Sequence, residues 1–242
     1  MLVLSISALR RLGAEANFTG LLFANLVELI GMGAPGTGTS FARAVGDCMT
    51  DTQREYKTEQ GQNDDLLLHG DRVYLRRPTM RDARSVFHWE RDDEVWRYDP
   101  HRPHSRTMAE FLPAFERNYV NGNGRQFWFI IEDEQRIPIG TITYFNIDNR
   151  MGRVEIGLGL GEKTRWGKGY GPDAIAVLTR YLLSMPNIVR VYAETALANR
   201  PARRAFAKVG FVEVGQIFDP RSTGDPWMLL EMWQPQPQPQ AQ

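Results

Sequence analysis

The chain has one cysteine, Cys48, in 242 residues. That excludes an intramolecular disulfide and any zinc cluster built on cysteine, and it suits a reducing compartment. Net charge is lacking too: Lys plus Arg and Asp plus Glu number 29 each, so no overall field draws the protein to nucleic acid or to an anionic membrane. Long apolar runs are missing. The longest, residues 21–30, carries Asn25 and Glu28 and falls short of the roughly 20 residues that cross a bilayer. The apolar start, residues 1–9, precedes Arg10 and Arg11 instead of following them, the reverse order of a secretory signal. Histidine is scarce, and His88, His101 and His104 lack the spacing that brings two metal ligands to one helix face. These absences leave a cytoplasmic protein with no metal, membrane or nucleic-acid partner. What is present, 42% hydrophobic and 11% aromatic residues, suffices for a packed core.

Composition divides the chain. Residues 1–48 are Gly- and Ala-rich and apolar, whereas residues 49–65 (MTDTQREYKTEQGQNDD) are polar and without an apolar period, which reads as a flexible linker. The break at Met49 makes that methionine a candidate translation start and residues 1–48 an untranslated extension; native peptides from residues 1–48 in a mass spectrum would refute this. Residues 66–234 read as one folded domain, and residues 235–242 alternate Pro and Gln as an extended tail. Gly33 to Ser40 (GAPGTGTS) has the spacing of a phosphate loop, but Thr39 stands where the lysine belongs. Without that charge, and without a nearby strand ending in Asp, the segment reads as a Gly/Thr linker and not as a nucleotide site.

Within the domain, residues 72–76 alternate as a strand, and Thr79 with Asp82 has the spacing of a capping box opening a helix. Met108, Phe111, Leu112, Phe115 and Tyr119 recur at helical spacing behind Thr107 as a cap, with Pro113 in the middle. Residues 126–132, 137–145 and 153–160 predict an antiparallel meander. A helix from Pro172 to near Pro186 follows, then a strand at 188–194, a short helix at 201–208, and strands at 211–214 and 228–233. The expectation is an α/β (α+β) fold with a mixed, mostly antiparallel sheet of six to seven strands flanked by helices.

Between the strand at 153–160 and the helix lies Arg165-Trp166-Gly167-Lys168-Gly169-Tyr170-Gly171. Glycines there remove side chains that would block close approach, so backbone N–H groups can converge on an anion at a positive helix end. A pyrophosphate fits such a loop. Four segments in order, LHGDRVYLRRPTMRDA, WERDDEVWRY, EIGLGLGEKTRWGKGYGPDAI and ANRPARRAFAKVGFVEVG, make residues 66–234 resemble the GNAT acetyltransferase superfamily, particularly its ribosomal-protein N-terminal acetyltransferase branch. Trp166 stands where much of the superfamily has Gln or Arg, as this branch often does.

The resemblance implies acetyl-CoA as co-substrate. It implies that Leu158, Gly159 and Leu160 hydrogen-bond the pantetheine arm as an added strand would. Trp166, Gly167, Lys168, Gly169, Tyr170 and Gly171 would contact the pyrophosphate, and Asn199 the arm. Phe206 occupies the position of the tyrosine that protonates the leaving thiolate in many members; a phenyl ring cannot donate a proton, so Phe206 is expected to pack against the arm, with Tyr170 and Tyr192 as conceivable substitutes. The oxyanion would meet backbone N–H near Leu158.

A primary amine with pKa near 10.4 is about one part in a thousand neutral at pH 7, so attack on a thioester needs a proton acceptor. Glu155 and Glu194 are the candidates, Glu155 preferred. Asp92, Asp93, Glu94 and Asp99 form an acidic cluster that either attracts a cationic acceptor or is a solvated loop. The function expected is an N-acetyltransferase acting as monomer or homodimer on a peptide N-terminus or a small amine; the alternative, prompted by Phe206, is a non-catalytic acyl-CoA-binding module.

Overall fold

Alternating apolar residues build an eight-stranded sheet in the computed structural model, which describes residues 66–99, 107–218 and 226–234. The expectations for residues 1–65, for His101 and His104 and for the tail at 235–242 lie outside the described residues. The strands are β1 (Leu67–His69), β2 (Tyr74–Arg76), β3 (Gln126–Glu132), β4 (Pro138–Asp148), β5 (Arg153–Leu160), β6 (Arg190–Ala196), β7 (Val212–Phe218) and β8 (Pro226–Trp233). Their order is β1-β2-β3-β4-β5-β6-β8-β7, antiparallel throughout except for the parallel pair β5–β6. The sheet is therefore of the mixed type expected, with one strand more: β1, three residues long, is too short for its alternation to register.

Period-2 alternation sorts side chains to two faces. On one face Phe129, Ile131, Ile142, Tyr144, Val154, Ile156, Val191 and Leu230 pack against α3 (Tyr170–Leu183) and α4 (Arg200–Val209) in the larger core. On the other, Ile130 meets Val86 and Trp89 of α1 (Ala83–Glu90) and Phe111 and Phe115 of α2 (Met108–Phe115). Thr107 caps α2 through a capping box with Glu110, and Pro113 is accommodated inside the helix, which runs on as a π turn, Glu116–Val120.

Asp82 does more than its spacing foretold. It accepts from the Thr79 N–H at 2.8 Å and takes both terminal nitrogens of Arg76, at 2.8 and 2.7 Å, while 3% exposed. Arg76 also donates to Glu132 on β3 at 2.6 Å. This charged knot fastens β2, β3 and the start of α1.

Candidate active site

β5 and β6 run side by side for only three pairs, Arg153–Arg190, Val154–Val191 and Glu155–Tyr192. Beyond them β5 continues against β4 alone and β6 against β8 alone, so a wedge opens in the middle of the sheet. Gly157, Leu158, Gly159 and Leu160 lie along its β5 side and are half-buried. A strand without a partner presents unpaired N–H and C=O groups, the template for an extended ligand.

At the foot of the wedge β5 passes into Gly161, a 3-10 turn (Lys163–Arg165) and the glycine loop. Gly161 is fixed by contact: a Cβ there would overlap the indole of Trp89, whose Nε1 donates to Glu162 at 3.0 Å. Trp166 closes the loop by donating from its indole to the Leu160 carbonyl at 2.9 Å. Gly167 and Gly169 have φ of 72° and 92°, the left-handed region that side chains disfavour. Helix α3 begins at Tyr170, two residues before the Pro172 start expected, because left-handed Gly169 serves as its N-cap. Pro172, lacking an N–H, sits within the first turn, where that donor has no helical partner to lose.

Among the described residues, no sheet partner or side chain takes up the N–H groups of Gly167 through Gly171. With the positive end of α3 behind them they suit a multiply charged anion. Lys168 is exposed beside them. Tyr170 contributes only its backbone here: its ring is buried and its hydroxyl donates to Glu134 at 2.8 Å, behind the loop. Open strand edge and open loop together fit an amide-bearing arm ending in a pyrophosphate.

On the sheet face opposite α3 and α4, the last parallel pair places Glu155 beside Tyr192, with Glu194 two residues further along β6. Glu155 is buried at 3% exposure rather than on a solvated strand face, and Asn146 donates to it at 2.6 Å. Burial pushes the Tyr192 hydroxyl pKa up, and the carboxylates of Glu155 and Glu194 push it further. Tyr192 therefore stays neutral at physiological pH, beside the two carboxylates.

Other expected residues are placed as follows. Asn199 caps α4, its Oδ1 accepting from Ala202 N–H at 3.2 Å and its Nδ2 donating to Thr195 at 3.0 Å. One acceptor site and one donor of its amide remain. Phe206 stands edge-on to Phe211, ring centroids 5.0 Å apart, in the larger core. At 5% exposure it leaves little of its ring to an arm. In the acidic cluster, Asp92 and Glu94 are engaged by Lys163 at 2.7 and 3.3 Å, which ties this loop to the start of the glycine loop. His88 is exposed, and no group of potential metal ligands forms among the described residues. No helix among them is long and apolar enough to cross a membrane.

Sequence reading missed Asn146, Asp173, Arg72 and Glu134. Asn146 was signalled only by the Asn/Asp-rich end of β4, and Asp173 only by the preference for acidic residues in a first helical turn.

The family model for the acetyltransferase (GNAT) domain matches residues 72–212. An N-acetyltransferase of Bacillus licheniformis, p20, is 27% identical over 157 residues, spanning 63% of this chain and 85% of the relative. A GNAT-family acetyltransferase structure from Bacillus anthracis superposes with a TM-score of 0.59 at 17% identity, over 69% of this chain and 98% of that one. A spermidine N-acetyltransferase from Vibrio cholerae, solved with CoA and spermine, gives 0.58 at 19% identity, over 67% and 95%. With a wedge and glycine loop fit for CoA and a family match over more than half its length, the chain belongs to the GNAT family of acetyl-CoA-dependent acetyltransferases.

Proposed function

We propose that the protein acetylates a cationic primary amine, a peptide N-terminus or a small polyamine, by direct attack of the amine nitrogen on the acetyl thioester. The observation that carries this reading is the parting of β5 and β6 directly after Glu155–Tyr192, with the glycine loop at its foot. Leu158, Gly159 and Leu160 offer the strand edge to the pantetheine arm, residues 166–171 hold the pyrophosphate, and Asn199 uses its remaining amide groups on the arm.

Glu155 and Glu194 draw the cation to the face opposite α3 and α4 and take its proton, Glu155 with the Asn146 amide hydrogen-bonded to it. The neutral nitrogen adds to the carbonyl carbon, backbone N–H near Leu158 meets the oxyanion, and its collapse breaks the carbon–sulfur bond while the second nitrogen proton passes to the thiolate or to water. A thiol with pKa near 8.5 leaves tolerably as thiolate, so the phenyl ring of Phe206 deprives the reaction of no obligatory acid. The ribosomal-protein branch suggested by WERDDEVWRY favours a peptide N-terminus; the spermine-bound neighbour favours a polyamine.

A CoA-release assay over N-terminal peptides and polyamines tests the reading. Turnover with an amine in either class is expected. Acetyl-CoA binding without turnover across the panel would overturn it.

A further inference from the structure

Arg72 lies 96 residues from the glycine loop in sequence yet touches its main chain: Nη1 donates to the Lys168 carbonyl. Its Nε donates to Glu134 at 3.2 Å, and its guanidinium lies 5.0 Å from the centre of the Tyr170 ring. Glu134 accepts the Tyr170 hydroxyl on its other oxygen. The backbone carrying Arg72 is itself pinned. Asp173, in the first turn of α3, accepts from the N–H groups of Asp71, Arg72 and Val73 at 3.2, 2.8 and 3.0 Å. Gly70 permits this approach, since a Cβ at that position would overlap the Asp173 carboxylate. The β1–β2 turn, the β3–β4 turn and the first residues of α3 thus converge on one peptide of the loop, Lys168–Gly169.

In a trans peptide the carbonyl and the following N–H point in opposite directions, and no peptide among the described residues is cis. A guanidinium that holds the Lys168 oxygen therefore turns the Gly169 N–H away from Arg72, toward the open side of the loop. Glycine leaves this peptide free to rotate on its C-terminal side, because Gly169 populates both hands of φ. An unrestrained loop would have to lose that freedom on binding; a restrained one has lost it already.

We propose that Arg72, set by Glu134, is a positioning residue that presents the Gly169 N–H to the cofactor pyrophosphate. The inference rests on the loop's role under the proposed function. The competing explanation is an ordinary ion pair: Arg72 and Glu134 are 47% and 36% exposed, and such pairs add little to stability. The two accounts differ in what they change. A surface ion pair alters neither cofactor affinity nor its dependence on the pyrophosphate; a positioning residue alters both.

The test uses the full chain and the variants Arg72→Met, Arg72→Lys and Glu134→Gln. CoA affinity is measured by calorimetry, and turnover with acetyl-CoA and with S-acetylpantetheine, a donor lacking the pyrophosphate. Arg72→Met is expected to raise the CoA Kd and the acetyl-CoA KM about tenfold, with kcat and S-acetylpantetheine turnover changed less than about twofold. Arg72→Lys, which keeps a donor for the Lys168 carbonyl, is expected to recover most of the affinity, and Glu134→Gln to fall between. Unchanged CoA affinity in Arg72→Met, or an equal loss with both donors, would overturn the proposal while leaving the proposed function standing. Failure of the wild-type chain to bind CoA would overturn both.

Discussion

Asn146 donates its side-chain amide to the buried carboxylate of Glu155 at 2.6 Å, from a left-handed backbone position (φ 51°) where the β4–β5 register shifts. The irregularity in β4 thus aims a donor across the sheet at the carboxylate that adjoins the wedge.

Replacing that carboxylate is the most direct test of the proton path. Glu155→Gln keeps the shape and removes the acceptor, and is expected to lower kcat/KM about 100-fold near pH 7. The deficit should shrink as pH rises toward the acceptor's own pKa, about 8 for a peptide N-terminus and about 10.4 for an alkyl amine, where the nitrogen is increasingly neutral unaided. CoA affinity should be unchanged. Equal rates for the variant and the wild type across the pH range would remove Glu155 from the mechanism.

The glycine loop separates space from backbone angle. A Cβ at Gly167 would meet nothing within 4 Å, yet its φ is 72°. Gly167→Ala therefore costs through conformation alone, about 1 kcal/mol, or roughly a fivefold weaker CoA Kd if the loop shifts to relieve it. Gly167→Asn, with a side chain that tolerates this region, should lose less. Calorimetric titration with CoA measures both, and a loss in Gly167→Asn as large as in Gly167→Ala, or larger, would count against φ as the cause.

Gly161 makes the opposite case. Its φ is ordinary, but the Trp89 ring occupies the space of a Cβ, so Gly161→Ala must displace the indole and disturb its bond to Glu162. A destabilisation of about 1–3 kcal/mol is expected, read as a lower Tm. Trp89→Ala in the same background should relieve the overlap, giving a smaller combined effect than the sum of the two. Additive losses would count against the contact.

Acid stability should report Asp82. Burial pushes its pKa up, but hydrogen bonds from Arg76 and Thr79 outweigh that and hold the carboxyl below its ordinary value. A lowered folded pKa means stability that is full above the unfolded value, near 3.9, and is lost as pH falls through the folded one. Asp82→Asn is expected to cost about 3 kcal/mol at pH 7, at the low end for a broken buried pair because Arg76 keeps Glu132. It should also flatten the acid limb of a Tm–pH curve; an unaltered limb would assign the acid transition to other carboxylates.

Much of the fold was legible because its signals are local. β3 and β5 have the bounds that their alternation predicts, and Thr107 caps the helix it was expected to cap. The glycine loop could be found because left-handed backbone demands glycine. What escaped depends on contacts made across the chain. Arg72 meets Lys168, and Asp173 meets the β1–β2 turn, through folding alone, with no periodicity to mark them. Glu155 looked like half of a strand's alternation, and its burial became visible only once β6 lay beside it. Phe206 could be recognised as unable to donate a proton, but not as a neighbour of Phe211 in the core.

The wedge between β5 and β6 also makes the donor part of the architecture. A sheet parted at its centre lacks the crosslinks that an intact sheet would have there, and an arm bonded along β5 would supply them. Acetyl-CoA would then act as a removable ninth strand. Resistance to unfolding would follow the donor's concentration, gaining about 2.7 kcal/mol at a hundredfold excess over Kd, so that the same molecule sets how fast the enzyme works and how long it lasts.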